Sequence, residues 1–529
     1  MTDITSERIM IRRLFVHRLV LGAAALAASL TLQAQARATK QGASTPAARL
    51  DAYTAQALAA WGLPGTAVAV VHNDSVVFAK GFGVRELGKP EPITPNSVFA
   101  IGSTSKAFTS ASLAMLVADG KVKWDDPVAK HLPELQLYDP YVTRELTVRD
   151  LLTHRSGLAR GDRLWANSGF SRSEVLRRVR FLKPSWSFRS TYGYQNIMFL
   201  AAGTVVERAS GKTWDDFVAQ RIFQPLGMSS SVTSITKLSS LADVATPHER
   251  INEAYRPVAW LNIDNIAPAG SINSSVNDMA QWVRLQLARG AYKGQRLIDS
   301  SGVKEMHTAN ITIRPGAQDE RMYPMSNLSS YGLGWSLRDY YGHKMVSHGG
   351  AIRGMRAQVT LIPGAQLGIV VLTNSPQSSF PTAIANKAVD LYLGNPDRDW
   401  SALMLAAAKE AETRAVAERK KRESERVTGT SPTLPLARYA GVYADSMYGE
   451  ISVSEESSKL RLQFGPNYTS DLNHWHFDTF ESMPRDAVLE RFFVRFVVDA
   501  SGKVSALDID GVATFGRKPP PAATVGGQP

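Results

Sequence analysis

The chain has 529 residues, no cysteine, 44% hydrophobic and 20% charged residues, and a formal net charge of +12. Its length and composition are those of a folded globular protein of roughly two to four domains, and the missing thiols exclude disulfides, cysteine nucleophiles and thiolate metal sites. The basic excess reads as solvated surface, or as attraction to anionic partners such as cell-envelope polymers or acidic peptides; no Lys/Arg stripe with interleaved aromatics is present, so no nucleic-acid partner is expected.

Residues 19–32, LVLGAAALAASLTL, form an apolar run preceded by Arg12, Arg13 and Arg18 and followed by Ala34-Gln35-Ala36. The run is too short to span a bilayer comfortably, and the order of charge, apolar stretch and small residues is that of a secretory signal over 1–36. An uncleaved anchor is the alternative reading. Arg12 to Val16 also resembles a twin-arginine signal, and Ala36-Arg37-Ala38 offers a second cut site. The expected location is periplasmic or secreted, with no integral span once the signal is removed. Residues 37–47 are small and polar and are expected to be a flexible leader.

Thr66–Val71 and Ser75–Lys80 flank His72-Asn73-Asp74 and predict a β-hairpin. Phe108 to Val117 has helical apolar spacing, and Thr147 with Asp150 three residues on predicts a capped helix start. Three β-like runs follow at His343–Ser347, Met355–Ile362 and Leu367–Thr373, with Pro363-Gly364 turning between the last two. Helices in the middle and hairpins at both ends predict an α+β domain over 48–398 with an antiparallel sheet flanked by helices. Residues 399–434 read as a charged helical linker closing on a Pro/Gly/Ser stretch. Short alternating runs over 435–517 predict a small all-β barrel or half-barrel, and 518–529, with three consecutive prolines, a disordered tail.

Ser103-Thr104-Ser105-Lys106 is an S-x-x-K tetrad. A serine hydroxyl needs a base to become a nucleophile. Residues three apart share a helix face, which places Lys106 beside Ser103, and desolvation lowers a lysine pKa far enough for a neutral amine to act as that base. A serine at a helix start also has its N–H at the positive dipole end, suited to an oxyanion. The same pattern recurs at Ser234–Lys237 and Ser301–Lys304, where it reads as caps or loop residues. Tyr194-Gln195-Asn196 offers a phenol for proton relay and an amide to hold Lys106 or a substrate carbonyl. His348-Gly349-Gly350 ends a predicted strand, where glycines admit a substrate backbone and Ala351 N–H supplies a second oxyanion donor. His154 reads as a residue tying a loop together, and Arg353 and Arg356 as solvated strand charge, with a cation for a substrate carboxylate as the alternative. The His474-Trp475-His476 triplet has no accompanying carboxylate cluster, so no metal is expected.

Together, S-x-x-K, Y-x-N and H-x-G in this order resemble the three signature motifs of the serine β-lactamase and penicillin-binding protein superfamily, in its class C-like branch with D-amino-acid peptidases and esterases. Leu151 to Leu158, Pro268 to Ser271 and Tyr331 to Trp335 resemble the same family. The C-terminal unit resembles the lipocalin-like domain appended to some members. The resemblance implies a β-lactamase-like fold without cofactor. Ser103 would be acylated, Lys106 and Tyr194 would share acid and base work, Asn196 would orient them, and His348, Gly349, Gly350 and Ala351 would line the substrate strand. The family's usual third motif begins with lysine; here it is His348, a residue mostly neutral near pH 7. The expected activity is therefore hydrolysis of a peptide or other small acyl substrate through a serine acyl-enzyme, amides foremost, with linear peptides holding D- or other unusual residues among the expected substrates, esterase and β-lactamase as alternatives and a non-catalytic envelope sensor or scaffold as the reading from another class.

Overall fold

The computed structural model describes residues 45–519. The expected signal, the leader up to residue 44 and the tail from residue 520 lie outside the described residues. Where the leader was expected to reach residue 47, a helix already begins at Pro46 and runs to Trp61; proline suits a first helical position because its φ is preset and its missing N–H has no partner there anyway.

Strands β1 (Gly65–His72) and β2 (Ser75–Gly83) form the predicted hairpin. It turns on Asn73 and Asp74, whose φ values of 50° and 58° are what a two-residue hairpin loop requires. The helical middle follows. Helix α1 (Lys106–Ala118) is buried all round from Lys106 to Leu116, as a helix in the centre of a large core must be. Its polar side chains are therefore bonded inward: Thr109 Oγ1 donates to Pro268 O at 2.6 Å and accepts from Trp214 Nε1 at 3.0 Å. Helix α2 (Asn196–Ser210) packs beside it and ends on Gly211 at φ +73°.

The chain returns to the sheet with β3 (Ile311–Thr312), β4 (Ser329–Tyr331), β5 (Ser336–Tyr340), β6 (His343–Ile352), β7 (Met355–Ile362) and β8 (Leu367–Thr373). The spatial order is β2-β1-β8-β7-β6-β5-β4-β3, every neighbour antiparallel. Helices cover both faces of the centre. On one face an ideal Cβ on Gly368 would lie 2.3 Å from Val283 Cγ1 of α3 (Val276–Leu287). On the other, Thr382 of α4 (Ser379–Leu393) donates to Gln358 Oε1 of β7. This double cover explains why β1 and β8 read as unbroken apolar runs instead of alternating ones.

Helix α5 (Trp400–Ser424) is the expected charged segment over most of its length. Its first turn is not exposed, however: Trp400 is fully buried and donates Nε1–H to Asp390 Oδ2 at 2.6 Å. The C-terminal unit is a closed eight-stranded antiparallel barrel, β9 (Gly441–Asp445), β10 (Gly449–Glu456), β11 (Lys459–Phe464), β12 (Tyr468–His476), β13 (Thr479–Pro484), β14 (Phe493–Val498), β15 (Val504–Ile509) and β16 (Ala513–Arg517). Lys518, assigned from sequence to the disordered tail, is held by N–H donation to Val442 O at 2.8 Å. Among the described residues no helix is long and apolar enough to cross a membrane.

Asp150 organises the loop that leads toward the serine. It completes the predicted capping box with Thr147 and, fully buried, receives Arg155 Nε at 2.6 Å and Arg189 Nη2 at 2.6 Å. These partners hold its carboxyl below the usual range despite burial. Asp150→Ala would strand two arginines and open the cap, so chemical denaturation is expected to show a loss of ~3–5 kcal/mol, with Asp150→Asn, which keeps an acceptor, losing less.

Candidate active site

Gly102 to Ser105 form one tight turn that runs directly into α1, so Ser103 and Lys106 face the same way. Lys106 has no exposed surface. Its Nζ lies 3.0 Å from Ser103 Oγ, 2.7 Å from Asn196 Oδ1 and 2.8 Å from Ala269 O. Desolvation holds its pKa well below the ordinary lysine value, and Arg160 pushes the same way against the opposing pull of Asp162. A neutral amine fits this cage: it donates to Asn196 and Ala269 and turns its lone pair to the serine hydroxyl.

Tyr194 is hydrogen-bonded to Ser103, and desolvation outweighs that bond to push its phenol above the ordinary value. Lys106 Nζ and the Arg160 guanidinium each lie 4.9 Å from its ring centroid. His154 fixes the tyrosine from both sides. Gly193 N–H donates to His154 O at 2.8 Å, Gln195 N–H donates to His154 Nδ1 at 3.0 Å, and the two rings are 4.2 Å apart. Because Nδ1 accepts, the ring proton sits on Nε2, which has no hydrogen-bond partner among the described residues. His154 itself stands at φ +58°, a costly conformation for a non-glycine residue.

Asn196 opens α2, whose cap is Gln195: its Oε1 accepts Ile197 N–H at 2.9 Å. Asn196 Nδ2 donates to Asp162 Oδ1 at 2.9 Å, and Trp165 Nε1 donates to the same oxygen at 2.9 Å. Arg160 Nε donates to Asp162 Oδ2. The chain of contacts thus runs from Asp162 through Asn196 to the lysine amine.

His348-Gly349-Gly350 does not end a strand; β6 continues to Ile352. The reason is the hairpin with β7, whose pairing holds through Ile352 and Met355. On its other side β6 pairs with β5 only as far as Ser347, which leaves an open edge from His348 to Ile352 beside Ser103. Gly350 is required there: a Cβ would sit 1.9 Å from Ile101 O. The same close approach brings Ala351 N to within 2.6 Å of where a Gly102 Cβ would stand, so the Ser103 and Ala351 amides lie on one lip of the cleft. His348 Nε2 accepts from the buried Tyr331 hydroxyl at 2.8 Å, and Nδ1–H donates to Gly349 O at 2.7 Å. Burial and the nearby Lys106 push its pKa down to about 3. Arg356 is not a solvated strand charge. Its guanidinium is mostly buried and donates to Ile352 O at 2.7 Å and Met355 O at 2.8 Å.

The cleft that collects Ser103, Tyr194, Asn196 and His348 to Ala351 has a volume of about 330 Å³. All eight residues singled out from sequence, Lys106 behind Ser103 included, therefore converge on one place, while Ser234 and Ser301 sit at helix starts with Lys237 and Lys304 exposed. Sequence reasoning missed Arg160, Asp162, Trp165 and Tyr331. The first three lie in an irregular loop without periodic signal. That loop is clamped by the barrel: Met447 is buried in the catalytic core, Arg163 Nη2 donates to Glu490 at 3.0 Å, and Arg353 at the β6–β7 turn pairs with Asp486 of the barrel at 3.4 Å.

A sheet flanked by helices with a serine and a desolvated lysine at its edge defines a serine hydrolase of the β-lactamase fold. The family model described as Beta-lactamase matches residues 50–393, and a domain of unknown function, DUF3471, matches residues 425–519; the chain belongs to the Beta-lactamase family. It is 30% identical over 422 residues to the unguisins hydrolase ungD' of Aspergillus campestris, covering 75% of this chain and 76% of that protein. It is 27% identical over 328 residues to penicillin-binding protein 4 of Amycolatopsis lactamdurans, covering 59% and 81%. In fold it resembles the octameric penicillin-binding protein homologue from Pyrococcus abyssi, with a TM-score of 0.58, 23% identity and coverage of 88% of this chain and 99% of that one.

His154→Phe keeps an aromatic ring but removes the acceptor for Gln195 N–H. The expected result is a kcat lower by ~10²-fold with KM little changed, together with a shifted alkaline limb of the kcat–pH profile as the Tyr194 environment loosens. A second expectation concerns acid. His307 and His348 are both held at about 3 by burial, against about 6.5 unfolded. Between these values only the unfolded chain binds the protons, so stability is complete above pH 6.5 and declines as pH falls toward 3. Urea midpoints measured from pH 7 to pH 4 should fall accordingly, and His307→Gln should make the decline shallower.

Proposed function

We propose that this chain is an exported serine amidase that hydrolyses peptides through an acyl-enzyme on Ser103. The observation that carries the reading is the Lys106 amine, dry and caged, at 3.0 Å from Ser103 Oγ with Tyr194 bonded to the same hydroxyl. Substrate carbonyl carbon is attacked by Ser103 Oγ as the hydroxyl proton passes to Lys106. The oxyanion accepts from Ser103 N–H and Ala351 N–H, whose fixed dipoles favour the charge as it develops. Tyr194 hands its phenol proton to the departing nitrogen, and the proton that Lys106 took from Ser103 passes on to the tyrosinate, so that both groups return to their starting forms. Water then adds to the acyl carbon, and Ser103 leaves with its proton restored. Asn196, held by Asp162, keeps the amine aimed.

Amides are favoured over β-lactams because His348 is neutral, locked between Tyr331 and Gly349 O, and supplies no cation at the place where the family's usual lysine would attract a carboxylate. Relatives named as an unguisins hydrolase and a penicillin-binding protein fit a hydrolase that acts through an acyl-enzyme. Arg356, in the cleft wall, suits substrates with an acidic acyl part.

A fluorophosphonate probe is expected to label the purified protein at Ser103 and not the Ser103→Ala variant; equal labelling of both would overturn the mechanism. Peptide p-nitroanilides should be cleaved in preference to p-nitrophenyl esters and nitrocefin. Lys106→Ala should lower kcat for amides by ~10³-fold or more.

A further inference from the structure

A second cavity, of about 500 Å³, adjoins the cleft. The two share His348, Gly349, Gln358 and Thr382 in their walls. At the junction stands Gly349, where a side chain would project toward Gln358 Oε1, with Cβ only 3.4 Å from it. The cavity opens on the sheet face where β5 begins to pair with β6, at Ser336 and Ser347. A chain lying along the open edge of β6 from Ala351 toward His348 meets β5 there and has to leave the edge; the cavity is the space it enters.

Its walls are held by a continuous set of contacts. Asn386 Nδ2 donates to Tyr323 Oη at 3.0 Å, the Arg338 guanidinium stacks 4.0 Å from the Tyr323 ring centroid, and Arg338 pairs with Asp319 at 2.7 Å. Arg314 and Arg338 stand in the lining against the single carboxylate of Asp319, so the lining carries a net positive charge. The volume lies in the range that buries a drug-sized ligand and exceeds what one small residue fills.

The proton path decides which half of a substrate goes there. Tyr194 delivers the proton to the leaving nitrogen, so the leaving group lies on the Tyr194 side of Ser103. The Tyr194 and His348 rings are 6.4 Å apart on that side, and His348 and Tyr192 form the wall of the second cavity. The acyl half is left with the Ile263, Ile266 and Ile352 side of the first cleft.

Resting on the peptidase reading above, we propose that the second cavity receives the leaving-group half of a peptide that continues for several residues past the scissile bond and carries a carboxylate, so that cleavage is internal instead of the removal of one terminal residue. The test uses the full chain and quenched peptides with one constant acyl segment and leaving groups of increasing length, from a single residue upward, ending in a free or an amidated carboxyl group. We expect kcat/KM to rise about tenfold or more with length, the return on ~1.4 kcal/mol of contact, because binding energy away from the reacting atoms is spent in the transition state. In Ser329→Trp, which fills the cavity from β4, the ratio of long to short substrate should fall to near one. In Arg314→Glu the advantage of the free carboxyl group over the amide should vanish. Each ratio is taken within one variant, so a partial loss of folded protein cancels. A flat length profile in the unmodified chain, or a ratio untouched by both substitutions, overturns this proposal alone; hydrolysis of esters with no peptide of any length cleaved overturns the peptidase reading and the proposal together.

Discussion

An amine with no exposed surface sits at the centre of this molecule, and much of the surrounding structure exists to make that tolerable. A buried ammonium is costly unless paired and hydrogen-bonded, and among the described residues Lys106 forms no ion pair with a carboxylate. It has instead a hydroxyl, an amide oxygen and a backbone carbonyl, a set that suits the neutral form. The Ala267–Gly270 turn presents that carbonyl because Pro268 packs tightly on Gly203 of α2, where a Cβ would lie 2.2 Å from Pro268 Cγ. The helices are thus packed to the tolerance that the amine needs.

The same constraint extends outward through Asn196 to Asp162 and from there to the barrel. The 160–170 loop is tied to itself around Asp162, which accepts from Arg160 and Trp165, and it contributes Arg160 and Trp165 to the cleft wall and Asp162 as the support of Asn196. Met447 and Glu490 of the barrel hold its outer side, and Asp486 holds the hairpin at the opposite lip through Arg353. A small domain whose own core closes on Tyr439, Tyr443 and Phe496 in this way braces both sides of a site it does not itself build.

The imidazoles make a related point. His154, His307 and His348 are neutral for the same physical reason, burial, but are used differently. His348 anchors the open edge of β6 through Tyr331, whereas His154 fixes Tyr194 at the expense of a left-handed backbone and an Nε2 without a partner among the described residues. A cation at either place would raise the charge around Lys106 and work against the neutral amine.

What the sequence by itself determined was whatever depends on short spacing. Ser103 and Lys106 share a face because they are three residues apart, the Thr147–Asp150 box is local, the Asn73-Asp74 turn is local, and the alternation over the last hundred residues is enough for an all-β barrel. The eight site residues were legible because three short motifs carry them. Tertiary structure alone decided the rest. Arg356 looks like a solvated charge until β6 and β7 fold it against its own carbonyls. Asp162 looks like any loop aspartate until Asn196, 34 positions further along the chain, is brought against it. The open edge of β6 arises because β5 stops pairing at Ser347, and register is a relation between two strands that neither one's residues state. Local chemistry thus pointed to the candidate reacting groups, and long-range packing set their burial, their orientation and the shape of the space they face.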